Sequence, residues 1–502
     1  MNYLGIEFGS TRVKAVVVDE AFKTVATGSF TWENRLEEGY WTYDLPDVIE
    51  ALQAAYAAAA ADFAKKTGAA LTKLDGIGIS GMMHGYLPFD ANWVPLAQFR
   101  TWRNTTTGAA AAELSKLFDF NVPQRWSIAH YHQARLNKEA HVAEVAHLTT
   151  LAGWVHTLLT SENVLGVGEA SGMFPIDSAT GTYDAKRLAQ YRELTGVDLL
   201  ALLPRVVSAG EAAGFLTEAG AHLLDPTGAL QMGARLAPPE GDAGTGMVAT
   251  NAVAVRTGNI SAGTSVFAMV VLEKELAHAY PEIDMVTTPT GKPVAMVHCN
   301  NCTSDLNAWV SLLGGDFDAL FKESLAGAKD CGGLVTVPYV SGEPVTGLET
   351  GMPLVLRTPD AQFTRANFMR ANIYSAFATL KLGMDILARE NCAIDSLTGH
   401  GGIFTSKGIA QQYLADALDA KVTCLETAGE GGPWGMAVLA AYADFRANGG
   451  DEALEAYLAG KVFAGAAGST LAPDAEGVAG FKVYMERFER ALAGEKAVCS
   501  KI

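Results

Sequence analysis

The chain has 502 residues with 37 Lys and Arg against 55 Asp and Glu, a formal net charge of −18. At roughly 150 residues per domain this length excludes a single small module, and 49% hydrophobic against 18% charged residues excludes disorder by composition. No Lys/Arg-rich run offsets the acidic excess, which argues against nucleic acid or an anionic membrane as partner and leaves small molecules as the expected ligands.

Taken from the start, Tyr3 to Phe8, Val13 to Asp19 and Thr24 to Phe30 predict three strands of a meander, with Gly9-Ser10-Thr11-Arg12 as its first turn. Asp44-Leu45-Pro46 reads as a helix start before an Ala-rich segment to Lys66, with Gly68 as its stop. Leu74 to Ser80 predicts a strand running into Gly81-Met82-Met83-His84-Gly85, a loop at a strand's carboxyl end, where open α/β sheets place ligands. Ala237 to Gly246 holds two prolines and three glycines and marks a domain boundary. Beyond it, Ala252 to Arg256 and Val266 to Leu272 read as strands on either side of Thr257 to Ser265. A long helix follows from Thr364 to Asn391, then Leu397 to Gly402 opens another helix. The chain is helical again after Gly435, and Gly480 to Leu492 forms a final amphipathic helix.

The first residues lack a basic stretch followed by a long apolar one, and no run approaches the roughly 18 apolar residues of a spanning helix; a cytoplasmic location is expected. Six cysteines are too sparse for a disulfide framework. Cys299 and Cys302 form a C-x-x-C next to His298, but no second pair completes a four-ligand metal site.

The turn Gly9-Ser10-Thr11 recurs as Gly263-Thr264-Ser265, 254 residues later (263 − 9) and close to half the length. That recurrence suggests an internal duplication and two related domains facing a cleft. Singly, each turn is an ordinary tight hairpin. As a pair they suit a polyphosphate, which takes short-reach backbone N–H and hydroxyl donors, with Lys14 adding charge. Neither a P-loop nor a dinucleotide fingerprint is present, and the cluster Gly399 to Gly402, with Gly401 and Gly402 at its end, suits nucleotide between strand and helix. Asp242 lies between glycines at the proposed hinge, free of helical crowding, where a carboxylate orients an attacking hydroxyl and accepts its proton. Met83 and His84 read either as core lining, the commoner role of a lone histidine in an apolar loop, or, as their flanking glycines favour, as ligand contacts; Trp102, Arg103 and Asn104 offer an aromatic face with polar tips that suits a carbohydrate, the alternative for the tryptophan being core.

In order, Gly5-Ile6-Glu7-Phe8-Gly9-Ser10-Thr11, Gly241-Asp242-Ala243, Gly263-Thr264-Ser265, Pro338-Tyr339-Val340-Ser341-Gly342-Glu343 and Gly399-His400-Gly401-Gly402 resemble the motifs of the FGGY carbohydrate kinases. This family is a branch of the actin/Hsp70/sugar-kinase ATPases. The resemblance spans nearly the whole chain and implies an α/β fold of two actin-like (ribonuclease H-like) domains, 1–240 and 241–502, flanking a deep catalytic cleft that closes on sugar. It implies ATP and Mg²⁺, with Glu7 and Asp242 at the metal and Asp242 as catalytic base. Gly9, Ser10, Thr11, Lys14, Gly263, Thr264, Ser265, Gly401 and Gly402 would lie at the nucleotide, and Met83, His84, Trp102, Asn104 and Asp242 at the sugar. A homodimer is the family expectation. Met82-Met83-His84-Gly85 is most similar to the xylulokinase loop, which implies transfer to O5 of D-xylulose. Three features depart from the pattern: Glu7 stands where the family has Asp, Met82 where that loop has Gln, and no P-K-x-x-W core is recognisable around Gln133 to Asn137. Ribulose, sedoheptulose, a deoxyketose or a polyol are the alternative substrates, and a non-catalytic actin-like nucleotide-binding protein is the alternative class.

Overall fold

The computed structural model describes residues 1–426 and 431–501. The opening meander forms as its residue pattern dictates: β1 (Asn2–Phe8), β2 (Arg12–Asp19) and β3 (Thr24–Thr31) pair antiparallel in turn. Helix α1 (Leu45–Thr67) buries Val48, Ala51, Leu52, Ala55, Tyr56, Ala59 and Phe63, the three- and four-residue spacing of one apolar face. Gly68 ends it at φ 76°, its N–H donating to the Ala64 carbonyl at 2.9 Å. Asp44 makes no side-chain cap and instead pairs with Arg35 at 2.5 Å.

Strand β4 (Gly76–Gly81) runs parallel to β1, and two short strands, β5 (Arg235–Leu236) and β6 (Glu240–Gly241), run parallel to β4. The sheet order is β5-β4-β1-β2-β3, with β6 also beside β4. Pro238 and Pro239 therefore interrupt one edge strand, where a missing N–H costs no ladder bond in mid-sheet, and do not end a domain. Helices α2 (Val167–Ala170), α3 (Asp242–Ala249) and α4 (Gly431–Ala447) belong with this sheet. α4 packs so closely on it that a side chain at Gly5 would collide with the Pro433 carbonyl and one at Gly78 with Met436.

The chain forms two compact units. The first is Met1–Val253, Met285–Val294 and Glu430–Ala464; the second is Ala254–Asp284, Ala295–Gly429 and Gly465–Ile502. These are not the contiguous halves 1–240 and 241–502, because α3 and α4 complete the first sheet's core. The second unit holds β7 (Thr257–Ala262), β8 (Val266–Val271), β9 (Pro293–Cys299) from Ala295 on, β10 (Ser396–His400), β11 (Lys421–Leu425) and β12 (Gly468–Leu471), in the order β9-β8-β7-β10-β11-β12. β7 and β8 form an antiparallel hairpin, and β10 and β11 continue parallel to β7. The same plan, a hairpin with parallel strands on the side of its first strand, is what β2-β1-β4-β5 builds, so the repeat of the turn motif is matched by a repeat of topology.

Two expected elements differ. Ala252 to Arg256 is a connection, since Arg256 takes a left-handed φ of 67° and β7 starts only after it. Leu397 to Gly402 runs as β10 into a single 3₁₀ turn, and the helix begins at Ile409. The long helix (Arg365–Arg389) and the last one (Ala475–Cys499) form as expected. No helix among the described residues is long and apolar enough to cross a membrane.

Candidate active site

Three parallel strands of the first unit end side by side. Glu7 lies opposite Ser80, Phe8 opposite Gly81, and Glu240 and Gly241 lie opposite Ser80 and Gly81 on the other edge of β4. Each strand leads directly into a candidate: β1 into the Gly9 turn, β4 into Met82-Met83-His84, and β6 into Asp242. The carboxyl ends of adjacent parallel strands are where α/β sheets leave a crevice, and register alone gathers these residues.

Asp242 is the first residue of α3, not a loop residue. The residue is exposed, yet desolvation by its surroundings pushes its carboxyl up to about 6, opposed by the backbone N–H groups of Ala243, at 3.0 Å, and Met83. Glu7, in the same wall, is pushed up to about 8, first by burial and then by the Asp242 charge, with Lys14 across the hairpin acting in the opposite sense. Its carboxyl lies against Gly432 at the start of α4, leaving no room there for a side chain. Two further acids back Asp242. Glu240 is fully buried and accepts the N–H groups of Gly168 at 3.3 Å and Glu169 at 2.9 Å, yet burial still pushes it up to about 8. Glu169 is also fully buried, with no hydrogen-bond partner for either carboxyl oxygen among the described residues. Burial, then the charges of Glu240 and Asp242, hold it well above the carboxylate range, with the Thr150 hydroxyl nearby.

His84 sits at φ 69° and Gly85 at 88°, a left-handed pair that turns the chain sharply after β4. Burial and the nearby Arg125 hold the imidazole down to about 3; it is neutral at physiological pH. Its Nδ1 lies 3.0 Å from the Gly172 carbonyl, which assigns the proton to Nδ1 and leaves Nε2 as an acceptor. The Trp126 ring stacks on it at 6.2 Å and 17°.

The first hairpin is tied from behind. Trp32 donates its indole N–H to the Gly9 carbonyl at 2.7 Å and its backbone N–H to that of Thr11 at 3.2 Å, while the Tyr43 hydroxyl donates to that of Ser10 at 2.5 Å. In a trans peptide, carbonyls anchored inward turn the N–H groups outward, so Ser10 and Thr11 present donors at the tip. Gly9 does not, because its N–H closes the turn onto Arg12 at 3.0 Å. Lys14 is exposed, and Trp102, also exposed, donates to the Ser10 hydroxyl at 3.2 Å. Asn104 is not a sugar contact: its side-chain oxygen accepts from the Trp41 N–H at 2.8 Å and its amide donates to the Trp41 and Thr101 carbonyls at 2.9 Å, so the group is spent on backbone.

The second unit repeats the device. The Gly263 N–H closes onto Ser265 at 2.9 Å, and the Gly263 and Thr264 carbonyls accept from Thr303 and Cys302 at the start of the helix Thr303–Leu312. Gly401, at φ 112°, lies against Ala262 at the end of β7, so Gly401 and Gly402 adjoin the Gly263-Thr264-Ser265 turn. Glu343 accepts the N–H and amide of Asn301 at 3.1 and 3.0 Å, locking the Ser341-Gly342-Glu343 loop. Cys299 and Cys302 are buried, and burial holds both thiols protonated. Among the described residues no group of three or more His, Cys, Asp or Glu is arranged to hold a metal.

Glu169, Glu240, Gly172 and Trp126 were not expected at the site. The signal that offered itself was Glu240-Gly241-Asp242, two acids around one glycine.

Paired glycine-hydroxyl hairpins on two sheets of one topology, with an open acid at the strand ends, define a phosphotransferase-type α/β protein. Residues 2–227 match the N-terminal domain and residues 258–443 the C-terminal domain of the FGGY family of carbohydrate kinases; the chain belongs to that family. It is a carbohydrate kinase, an enzyme that transfers phosphate from ATP to a sugar, on an actin-like fold. A xylulose kinase of Haemophilus influenzae (strain ATCC 51907 / DSM 11121 / KW20 / Rd) is 24% identical over 449 residues, covering 84% of this chain and 87% of that one. Among solved structures, a xyloylose kinase from Brucella ovis superposes with a TM-score of 0.84 at 20% identity, covering 99% of this chain and 100% of the other. A gluconate kinase from Lactobacillus acidophilus superposes with 0.81 at 16% identity and 99% coverage of both chains. Fold alone therefore does not choose the sugar.

Proposed function

We propose that the enzyme phosphorylates the terminal hydroxyl of a ketose, D-xylulose at O5, with Asp242 as base. The observation that carries this is the register that sets Asp242 beside the Met83-His84 loop, at the ends of β6 and β4. His84 Nε2 accepts from one sugar hydroxyl, Met83 supplies apolar contact, and Trp102 flanks the phosphate turn. Asp242 orients the attacking hydroxyl and takes its proton as the bond to phosphorus forms. The Ser10 and Thr11 N–H groups and hydroxyls hold phosphate oxygens, Lys14 adds charge, and Gly263 to Ser265 with Gly401 and Gly402 form the second nucleotide element.

Glu7 and Asp242 fit a divalent cation. The Asp242 charge raises the cost of ionising Glu7, which a cation would offset, and with no group of three or more acids, His or Cys arranged to hold a metal among the described residues the ion would keep phosphate and water ligands, as Mg²⁺ prefers. When bound, Mg²⁺ neutralises charge on the β- and γ-phosphates. The similarity of the Haemophilus influenzae protein and of the Met-His-Gly loop supports xylulose. An ADP-release assay across D-xylulose, D-ribulose, sedoheptulose, a deoxyketose and xylitol tests the reading. D-Xylulose is expected to give the highest kcat/KM; another sugar in first place replaces the substrate, and turnover of none overturns the proposal.

A further inference from the structure

Glu240 is unusual in its setting. Its carboxylate fills the space that side chains at positions 166 and 168 would take, since a Cβ at either glycine would collide with it. It accepts the backbone N–H groups of Gly168 and Glu169, so it grips the segment 166–172 from β6. That segment is closed on itself: Ser171 donates to Val167 at 3.1 Å and Gly172 to Glu169 at 3.0 Å. Thr287 braces its outer side, donating to Ser171 Oγ and to the Val167 carbonyl, both at 3.0 Å. The last residue, Gly172, offers the carbonyl that fixes the tautomer of His84. Two residues on from Glu240, at the head of α3, is Asp242.

We propose that Glu240 is a positioning residue that, by gripping the Gly166–Gly172 segment, holds His84 and Asp242 in one fixed relation, so that sugar orientation and the base are set by a single buried carboxylate. The inference rests on the reading of His84 and Asp242 as sugar contact and base. The grip is two-pronged, and a carboxamide cannot reproduce it: both carboxyl oxygens keep lone pairs for the two N–H groups, protonated or not, whereas the NH₂ of an amide has none. Loosening it lets the Gly172 carbonyl leave His84 Nδ1, and displacements near 1 Å at a reacting centre cost about a hundredfold in rate.

The test is a double-mutant cycle with E240Q and H84N, Asn being the side chain that best tolerates the left-handed backbone at position 84. kcat and KM are read for D-xylulose and ATP. E240Q is expected to lower kcat/KM for the sugar by about tenfold or more, leaving KM for ATP within about twofold. In the H84N background its effect should shrink at least threefold, the non-additivity expected of residues acting through one another. Equal effects in both backgrounds overturn the proposal. A readout that needs no substrate accompanies it: exchange of the His84 Nδ1 proton in ¹⁵N-histidine-labelled enzyme, assigned by its loss in H84N. Faster exchange in E240Q supports the grip and unchanged exchange overturns it, even if the parent prefers another ketose, which then becomes the kinetic probe. A parent inactive on every sugar refutes the functional reading, while the exchange result still decides the grip. E240D, whose shorter side chain cannot span both N–H groups, is carried in parallel; if neither variant folds, Glu240 is a general fold determinant and the proposal falls.

Discussion

Replacing Asp242 with Asn removes a charge from the mouth of the acid wall with little change of shape. The remaining oxygen still accepts from Ala243, the side chain is open to solvent, and α3 does not depend on it for a side-chain cap, so folding should be nearly unaffected. A positioned general base contributes about 10²- to 10⁴-fold, or about 3–5.5 kcal/mol of barrier at 1.36 kcal/mol per tenfold. The parent carries a second signature. With its carboxyl pushed up to about 6, Asp242 is protonated below that pH and cannot take the sugar's proton, so kcat/KM should fall with unit slope on the acid side and level off above. ADP release by parent and D242N, from about pH 5 to 9 with saturating ATP, reads both features. The variant should lose at least a hundredfold in kcat and the acid limb with it, while binding ADP as the parent does. A variant within about threefold of the parent, or one retaining the same limb, would refute Asp242 as the base.

Gly432→Ala should move the Glu7 carboxyl, a flexible end, and spare the backbone. The expected outcome is a Tm lowered by only a few degrees and a Mg²⁺ concentration for half-maximal rate raised severalfold, read by titrating the metal. Glu169→Gln should stabilise at neutral and higher pH. The folded-state proton affinity of Glu169 lies above its ordinary 4.5, so its contribution is fully present below that pH and is lost as pH rises towards the folded value. Melting curves should therefore show a gain in Tm for E169Q at pH about 8 that vanishes near pH 4.5. Of the six cysteines, Cys299, Cys302 and Cys331 are buried, so a thiol reagent should label only Cys392, Cys424 and Cys499 in the native enzyme and all six after unfolding.

The parts of the site that are local in sequence were legible in it. A glycine followed by two hydroxyl residues between two strand-like runs favours a tight turn, and both turns form, whereas Gly468-Ser469-Thr470, which no such runs flank, lies in β12. Asp242 was recognisable by its glycine neighbours, although its place at the head of α3 was not, because Asp242-Ala243-Gly244-Thr245-Gly246 has poor helix propensity and is held by packing of α4 against α3. Asn104 was misread because its partner, Trp41, lies 63 residues away and nothing in Trp102-Arg103-Asn104 announces it. Glu240 and Glu169 escaped for the same reason: their burial depends on β6 pairing with a strand 160 residues earlier, a register that no local pattern encodes. The boundary at Pro238-Pro239 was a real break in regularity, but a proline pair marks an edge strand as readily as a linker.

The first unit is built from three separated stretches of chain, and its order of assembly follows from that. β1 and β4 present faces at Gly5 and Gly78 that α4 covers, yet α4 begins at Gly431. During synthesis the sheet from the first 253 residues waits for about 180 more, roughly 10–35 s at 5–20 residues per second, with an apolar groove open to water. A fragment ending at Val253 should therefore be sticky and poorly soluble, and adding residues 431–464 in trans should rescue it. For this enzyme, a segment that leaves the ribosome late is the lid on the first part to fold.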